Sequence, residues 1–359
     1  MNVITVIVLI FSALGALDYL FGNKLGLGAE FEKAFTLFKA MVLSMVGILA
    51  VAPALAQWLT PVFDGFYNLF GLDPSIIPAS LFANDMGGMT IAQAICKSES
   101  VGNYNAFVIS AMMGVVISFT IPVGISMVKP EQHKELFFGY LCGILVVPMG
   151  GFVAGLMCKL TPLQTVLNLL PLMVLSAIIA AGLLLAPKLS IRIFSVFGKF
   201  MRALGIIGLV FATFTFLTDI QIHPLFAPLE SSAMICVNAC VTLSGALPLM
   251  FLLAKLLDKP LTRLGSALGI NAVSALAFLA CTVTNISSFG VMDRMDKKGA
   301  VLNSAFAVSA AFTFGGHLAF TMAFDSSYVA PMIVGKLISG VCAVILAFFL
   351  YKNGKELAE

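Results

Sequence analysis

The sequence predicts an all-α polytopic membrane protein with about nine full transmembrane helices and two re-entrant or broken helical hairpins. The two halves read as an inverted repeat, a build common among secondary transporters. Three observations predict it. Of 359 residues, 60% are hydrophobic and 10% charged, at a mean hydropathy of +1.06, whereas soluble domains carry roughly 25% charged residues. Apolar stretches of about 20 residues, the length that crosses a bilayer, recur along the whole chain. Two more apolar stretches are interrupted in the middle by an asparagine and small residues, at Asn84–Gly88 and Thr284–Ser288.

In chain order the spanning stretches are 2–22, 34–57, 103–128, 135–158, 164–187, 203–221, 230–256, 299–323 and 328–351. The interrupted stretches, 74–97 and 264–292, follow the second and the seventh of these. Met1 to Leu17 contain no Lys or Arg, so the first stretch lacks the basic region of a signal peptide and is expected to remain as a helix. Between the halves, Lys188, Arg192, Lys199 and Arg202 alternate with Ile191, Ile193, Phe194, Val196 and Phe197. That pattern predicts an amphipathic linker at the cytoplasmic surface.

The loops are short, so the excess of Lys and Arg on the cytoplasmic side decides the topology. If both interrupted stretches turn back and the N-terminus is outside, 17 of the 20 Lys and Arg, from Lys24 to Lys352 and Lys355, are cytoplasmic. Only Lys97 and Lys159 are then outside, with Lys336 inside a span. If both stretches cross, the bias vanishes. The expectation is therefore a multi-pass membrane protein, N-terminus outside and C-terminus cytoplasmic. Residues 1–160 form the first repeat, 161–202 a linking helix and linker, and 203–359 the second repeat, each repeat reading helix, helix, hairpin, helix, helix.

The letters agree with the repeat. Phe107-Val-Ile-Ser110-Ala111 matches Phe306-Ala-Val-Ser309-Ala310. Ala106, Ser110, Gly114 and Ser118 recur every four residues, as do Ala305, Ser309, Thr313 and His317. Such small-residue stripes let helices approach closely in lipid, so both helices are expected inside the bundle. A shift of two residues sets Asn84 opposite Asn285, and the two breaks are expected to meet near the midplane.

Several functions find no residues to carry them. The seven cysteines are scattered through apolar segments, and no Cys or His cluster has metal-ligand spacing. No cofactor and no metal is expected. There is no basic block for nucleic acid, no nucleotide-binding loop, and no HExxH or facing aspartate pair for a membrane-embedded enzyme. The chain is read as a non-enzyme.

Asp85 is the deep carboxylate. A charge at membrane depth is costly and faces a cavity or a partner, and the adjacent Gly87 and Gly88 let the backbone turn and expose its polar groups. Asn84-Asp85-Met86-Gly87-Gly88 thus reads as the tip of a broken helix that holds a small solute.

Five stretches together carry a resemblance: Asn84 to Gly88, Asn285-Ile286 with Phe289 to Met292, Met295 to Gly299, Ala305 to Phe312 with Gly315-Gly316-His317-Leu318, and Pro331 to Ile338. In these the chain resembles the bacterial ethanolamine-utilisation transporters, over essentially its whole length and most densely from 284 to 345. One position departs: an acidic residue usually precedes the histidine matching His317, and here it is Gly316. The resemblance implies ethanolamine as substrate, a cation at neutral pH because simple amines have a pKa of about 10. Its ammonium needs a carboxylate or carbonyl dipoles, and its hydroxyl needs a polar partner.

On that footing Asp85 is the candidate ammonium partner, with a cap inside the hairpin or an ion pair with Lys336 as the alternatives. Asn84 and Asn285 are candidates for the hydroxyl or for capping the broken helices, and Gly87 and Gly88 for shaping the turn. Ser110, Ser309, Thr313 and His317 complete the substrate-contact set from the inward stripes. Asp85, His317 and Lys336 are the candidates for ion pairing or proton coupling, and His317 has hydrogen-bonded packing as its other reading. Transport by alternating access follows, of ethanolamine or of another small polar solute in the same architecture. The lipid bilayer is the expected environment, and analogy with transporters of this build suggests a homodimer.

Overall fold

The computed structural model describes residues 3–352, and every regular element among them is helical. Lys355 and the side chain of Lys352, counted above with the cytoplasmic charges, lie outside the described residues. The elements are α1 (Val3–Leu20), α2 (Leu27–Phe70), α3 (Ile76–Leu81), α4 (Gly88–Ile95), α5 (Glu99–Met127), α6 (Pro130–Met157), α7 (Pro162–Leu185), α8 (Pro187–Thr218) and α9 (Leu229–Leu268). Then follow α10 (Ala272–Val283), α11 (Asn285–Phe289), α12 (Lys297–Ala310), α13 (Gly316–Phe324) and α14 (Val329–Lys352).

Local chemistry places the boundaries. Thr161 and Gln164 form a capping box ahead of α7, with Pro162 at its first position. Asn271, Thr284 and Asp296 accept N-cap hydrogen bonds from Ser274, Ile286 and Gly299. Between α1 and α2, the Asp18 carboxylate accepts the N–H groups of Leu25 and Gly28, both at 2.9 Å, and closes the loop.

Among the described residues eight helices are long and apolar enough to cross a membrane: α1, α2, α5, α6, α7, α8, α9 and α14. The expected ninth, over 299–323, is not continuous. It is broken into α12 and α13 by Ala311–Gly315, so Thr313 lies in the break and the stripe from Ala305 to His317 does not follow one helix face. Residues 188–202, expected as a linker, are helical and run on into the span as one helix, α8.

The core is a bundle of α5, α6, α12 and α14. Every residue of α12 from Gly299 to Ala310 is buried, α5 is buried over most of its length, and α1 and α8 expose most of theirs. A helix apolar all round belongs inside a bundle, whereas exposed apolar helices suit a lipid-facing rim. Where α6 meets α14, Ser339 Oγ accepts the Gly150 N–H at 3.1 Å, pinning the two helices together.

Each interrupted stretch is a hairpin closed at its base by a carboxylate. Asp73 Oδ2 accepts the N–H groups of Lys97 and Ser98, both at 2.9 Å, so residues 73 and 98 meet. Asp296 Oδ1 accepts Asn271 N–H at 2.8 Å and Ser274 Oγ–H at 3.0 Å, so residues 271 and 296 meet. At about 1.5 Å per residue, neither the six residues of α3 nor the eight of α4 approach the ~30 Å of a bilayer core.

The two bases lie at opposite ends of α6. Gln132 Nε2 donates to the Met292 carbonyl at 2.9 Å, and Lys129 pairs with Asp293 at 3.0 Å, next to the second base. At the other end, Tyr104 Oη donates to the Gly151 carbonyl at 2.7 Å while the neighbouring Asn105 donates to Ser75 of the first base at 2.8 Å. The tips therefore enter the bundle from opposite directions.

Candidate functional site

The first tip is built by extended backbone at Phe82 and Ala83, a single 3-10 turn over Asn84–Met86, and a left-handed Gly87 with φ 87°. A β-carbon at Gly87 is disfavoured by that φ and would also stand 2.9 Å from Ile48 Cγ2. Gly88 restarts the helix with its N–H bonded to the Ala83 carbonyl at 2.9 Å. The Phe82 carbonyl is wedged between Gly88 and Gly114 of α5: a β-carbon on either would lie 2.1 or 2.0 Å from its oxygen. Ser118 Oγ accepts the Ala83 N–H at 3.1 Å and fixes the tip to α5. Over 105–120 α5 is π-helical apart from a short interruption, a local widening common at functional sites.

The second tip turns at Thr284, which is extended and caps α11. Asn285 Nδ2 donates to Thr120 Oγ1 at 3.1 Å. The break between α12 and α13 is stitched to this tip: Phe312 N–H donates to the Cys281 carbonyl at 3.3 Å and Phe314 N–H to the Thr282 carbonyl at 2.8 Å. Phe312 is held in the left-handed region, φ 63°, a conformation that costs a bulky residue on the order of 1–3 kcal/mol and is found where surrounding structure imposes it.

Both tips thus pack against the residues that open α13: a β-carbon at Gly315 would lie 2.1 Å from the Val283 carbonyl of the second hairpin. Asp85 lies against the start of α13, its Oδ2 3.7 Å from where a β-carbon of Gly316 would stand. The first N–H groups of a helix lack intrahelical partners and form its positive end, so the carboxylate meets a favourable dipole. Position 316, where the resemblance implied an acid, is therefore beside Asp85.

Several buried polar atoms go without hydrogen bonds, among them Asn84 Nδ2 in the first tip, Asn285 Oδ1 in the second, Ser309 Oγ in α12 and Thr321 Oγ1 in α13. Such atoms ordinarily cost about 1–3 kcal/mol each unless a partner is supplied. Lys336 is fully buried and donates to the Ala111 carbonyl. Among the described residues it forms no direct ion pair with Asp85.

Of the residues singled out from the sequence, Asn84, Asp85, Gly87, Gly88 and His317 come together where α13 begins. Among the described residues no hydrogen bond joins Asn285 to Asn84; the two tips dock on Ser118 and Thr120, two residues apart on α5. Ser110 and Thr313 donate their hydroxyls to the carbonyls of Ala106 and Ala310, whereas Ser309 has its hydroxyl free. Sequence reasoning placed Ser118 on a packing stripe without seeing it as an anchor, and missed Thr120 and the break at Ala311–Gly315. The signal for that break was available in Gly315-Gly316, a doublet like Gly87-Gly88 in the first half.

The family model described as "Ethanolamine utilisation protein, EutH" matches residues 1–350. A protein of Listeria monocytogenes serotype 1/2a named "Probable ethanolamine permease EutH" is 38% identical over 349 residues, 97% of this chain and 94% of that one. Proteins of the same name in Salmonella typhimurium LT2 and Escherichia coli K12 are each 35% identical over 356 residues, covering 92% of this chain and 87% of theirs. No solved structure matches the chain.

Proposed function

The chain belongs to the ethanolamine utilisation protein EutH family, and from that premise we propose that it is an ethanolamine permease of the bacterial plasma membrane working by alternating access. The observation that carries the mechanism is Asp85 at the start of α13, on a tip whose Asn84 amide nitrogen is buried without a partner. Ethanolamine offers what that setting needs: an ammonium for the carboxylate, and a hydroxyl that both donates and accepts for the amide, hydroxyl and imidazole groups.

Nine spans, the ninth broken into α12 and α13, and two re-entrant hairpins make up the transporter. Support comes from the closed hairpin bases at opposite ends of α6. The first repeat covers 1–160 and the second 203–359, joined by 161–202, with the N-terminus outside and the C-terminus cytoplasmic. Asp85 holds the ammonium. Asn84, His317, Ser309 and Asn285 offer partners for the hydroxyl, while Ser110 and Thr313 line the approach. Gly87 and Gly88 make the tip narrow enough to enter. Rocking of one repeat against the other would expose this fixed site to each side in turn, as in other inverted-repeat carriers.

The test is uptake of radiolabelled ethanolamine into liposomes holding the purified protein. Saturable uptake is expected, competed by unlabelled ethanolamine and not by ethylene glycol, which has the hydroxyls without the ammonium. Equal competition by the glycol would remove the role given to the carboxylate.

A further inference from the structure

Lys336 sits fully buried on α14, its ammonium donating to the Ala111 carbonyl in the π-helical part of α5. A charged side chain so deep in a membrane protein ordinarily faces an ionic partner or water and marks a functional place. The same helix, α5, carries the first tip: Gly114, about one turn from Ala111, packs against the Phe82 carbonyl, and Ser118 holds the Ala83 N–H, so Lys336 and the tip bearing Asp85 share α5. The protein thus holds one carboxylate and one amine on different elements, both anchored on α5 within two turns of each other and, among the described residues, in no direct ion pair.

A carrier must cross its cycle twice, once loaded and once empty. With Asp85 alone, the empty site would carry a net negative charge through each rearrangement of a low-dielectric interior, which lost solvation opposes. With Lys336 present, the empty site is neutral and the positive charge travels only with the substrate. A membrane potential negative inside then pulls the loaded form inward and leaves the empty form's return unopposed.

Resting on the carrier reading above, we propose that Lys336 is the counter-charge of the empty carrier, assigning the moving charge to the loaded half of the cycle. Its removal should separate two activities that a structural role would lower together. Net uptake into empty liposomes requires the empty carrier to return, whereas exchange of labelled for unlabelled ethanolamine does not.

The experiment measures both in liposomes at zero potential, for the wild type, Lys336→Gln, Lys336→Met and Lys336→Arg. In the Gln and Met variants exchange is expected to persist while net uptake falls about tenfold or more, the factor given by about 1.4 kcal/mol on the return barrier. Lys336→Arg, which keeps the charge, should retain the wild-type ratio of net uptake to exchange. The ratio is independent of how much protein inserts correctly. Equal loss of both modes, no change in either, or an Arg variant behaving like Gln would overturn the proposal. A wild type that neither takes up nor exchanges ethanolamine would instead sink the permease reading itself.

Discussion

Ser118 and Thr120 stand two residues apart on α5, and each holds the tip of a different hairpin. Ser118 Oγ accepts the Ala83 N–H at 3.1 Å, and Thr120 Oγ1 accepts from Asn285 Nδ2 at 3.1 Å. Entering from opposite ends of the bundle, the tips share one anchor. Loss of either hydroxyl leaves a buried donor unpaired, at about 1–3 kcal/mol. Ser118→Ala and Thr120→Val should each lower the melting temperature of the purified protein and slow transport. Unchanged melting in both variants would show that the anchors do not hold the tips.

The Phe82 carbonyl between Gly88 and Gly114 predicts a steep contrast among glycine substitutions. Gly88→Ala or Gly114→Ala places a β-carbon 2.1 or 2.0 Å from that oxygen, an overlap that forces backbone movement and costs about 1–3 kcal/mol or more. Gly65→Ala, at a helical position with nothing within 4 Å of the added carbon, should be tolerated. Yield of monodisperse protein and its melting temperature report the difference, and similar behaviour of all three would contradict the packing described.

Single cysteines test the opposed hairpins. Lys97, exposed at the first base, and Lys297, exposed beside the second, should label from opposite faces when replaced by Cys in a background without other reactive cysteines. An impermeant maleimide applied to intact cells is expected to reach position 97 and not 297. Labelling of both from one side would break the inverted arrangement.

The chemistry of the substrate sets a pH dependence. Below a pKa of about 10 the neutral, lipid-permeant fraction of an amine falls tenfold for each pH unit. Passive leak therefore fades as the medium is acidified, and the share of uptake that needs the protein should rise. Uptake by cells with and without the protein, at acid and alkaline pH, measures it; the same dependence on the protein at both would count against a carrier of the cationic form.

Much of this arrangement was legible in the residues. An asparagine, a carboxylate and paired glycines inside an apolar run marked the first tip, because nothing in lipid tolerates that combination without a structural reason. The ninth helix was misread because the Gly315-Gly316 doublet was its one local mark, and its break is imposed by bonds from Phe312 and Phe314 to residues some thirty positions earlier. The latches at Asp73 and Asp296 were also unmarked, since an acid beside a helix start is an ordinary cap, and Asp296 is one as well. Ser118 and Thr120 were hidden for a similar reason: a mid-helix hydroxyl usually bonds its own helix, and Ser118 does that too.

The claim on which the rest depends is that Asp85, at the start of α13, holds the substrate's ammonium. Ethanolamine uptake by Asp85→Asn in liposomes tests it most directly. The substitution keeps the shape of the side chain and removes its charge, and an ammonium left unpaired at a buried site loses about 3–5 kcal/mol, or at least a hundredfold in affinity. Uptake is predicted to fall to the leak of protein-free liposomes while the protein stays monodisperse with a near-native melting temperature. Saturable uptake at the wild-type rate and affinity would contradict the assignment.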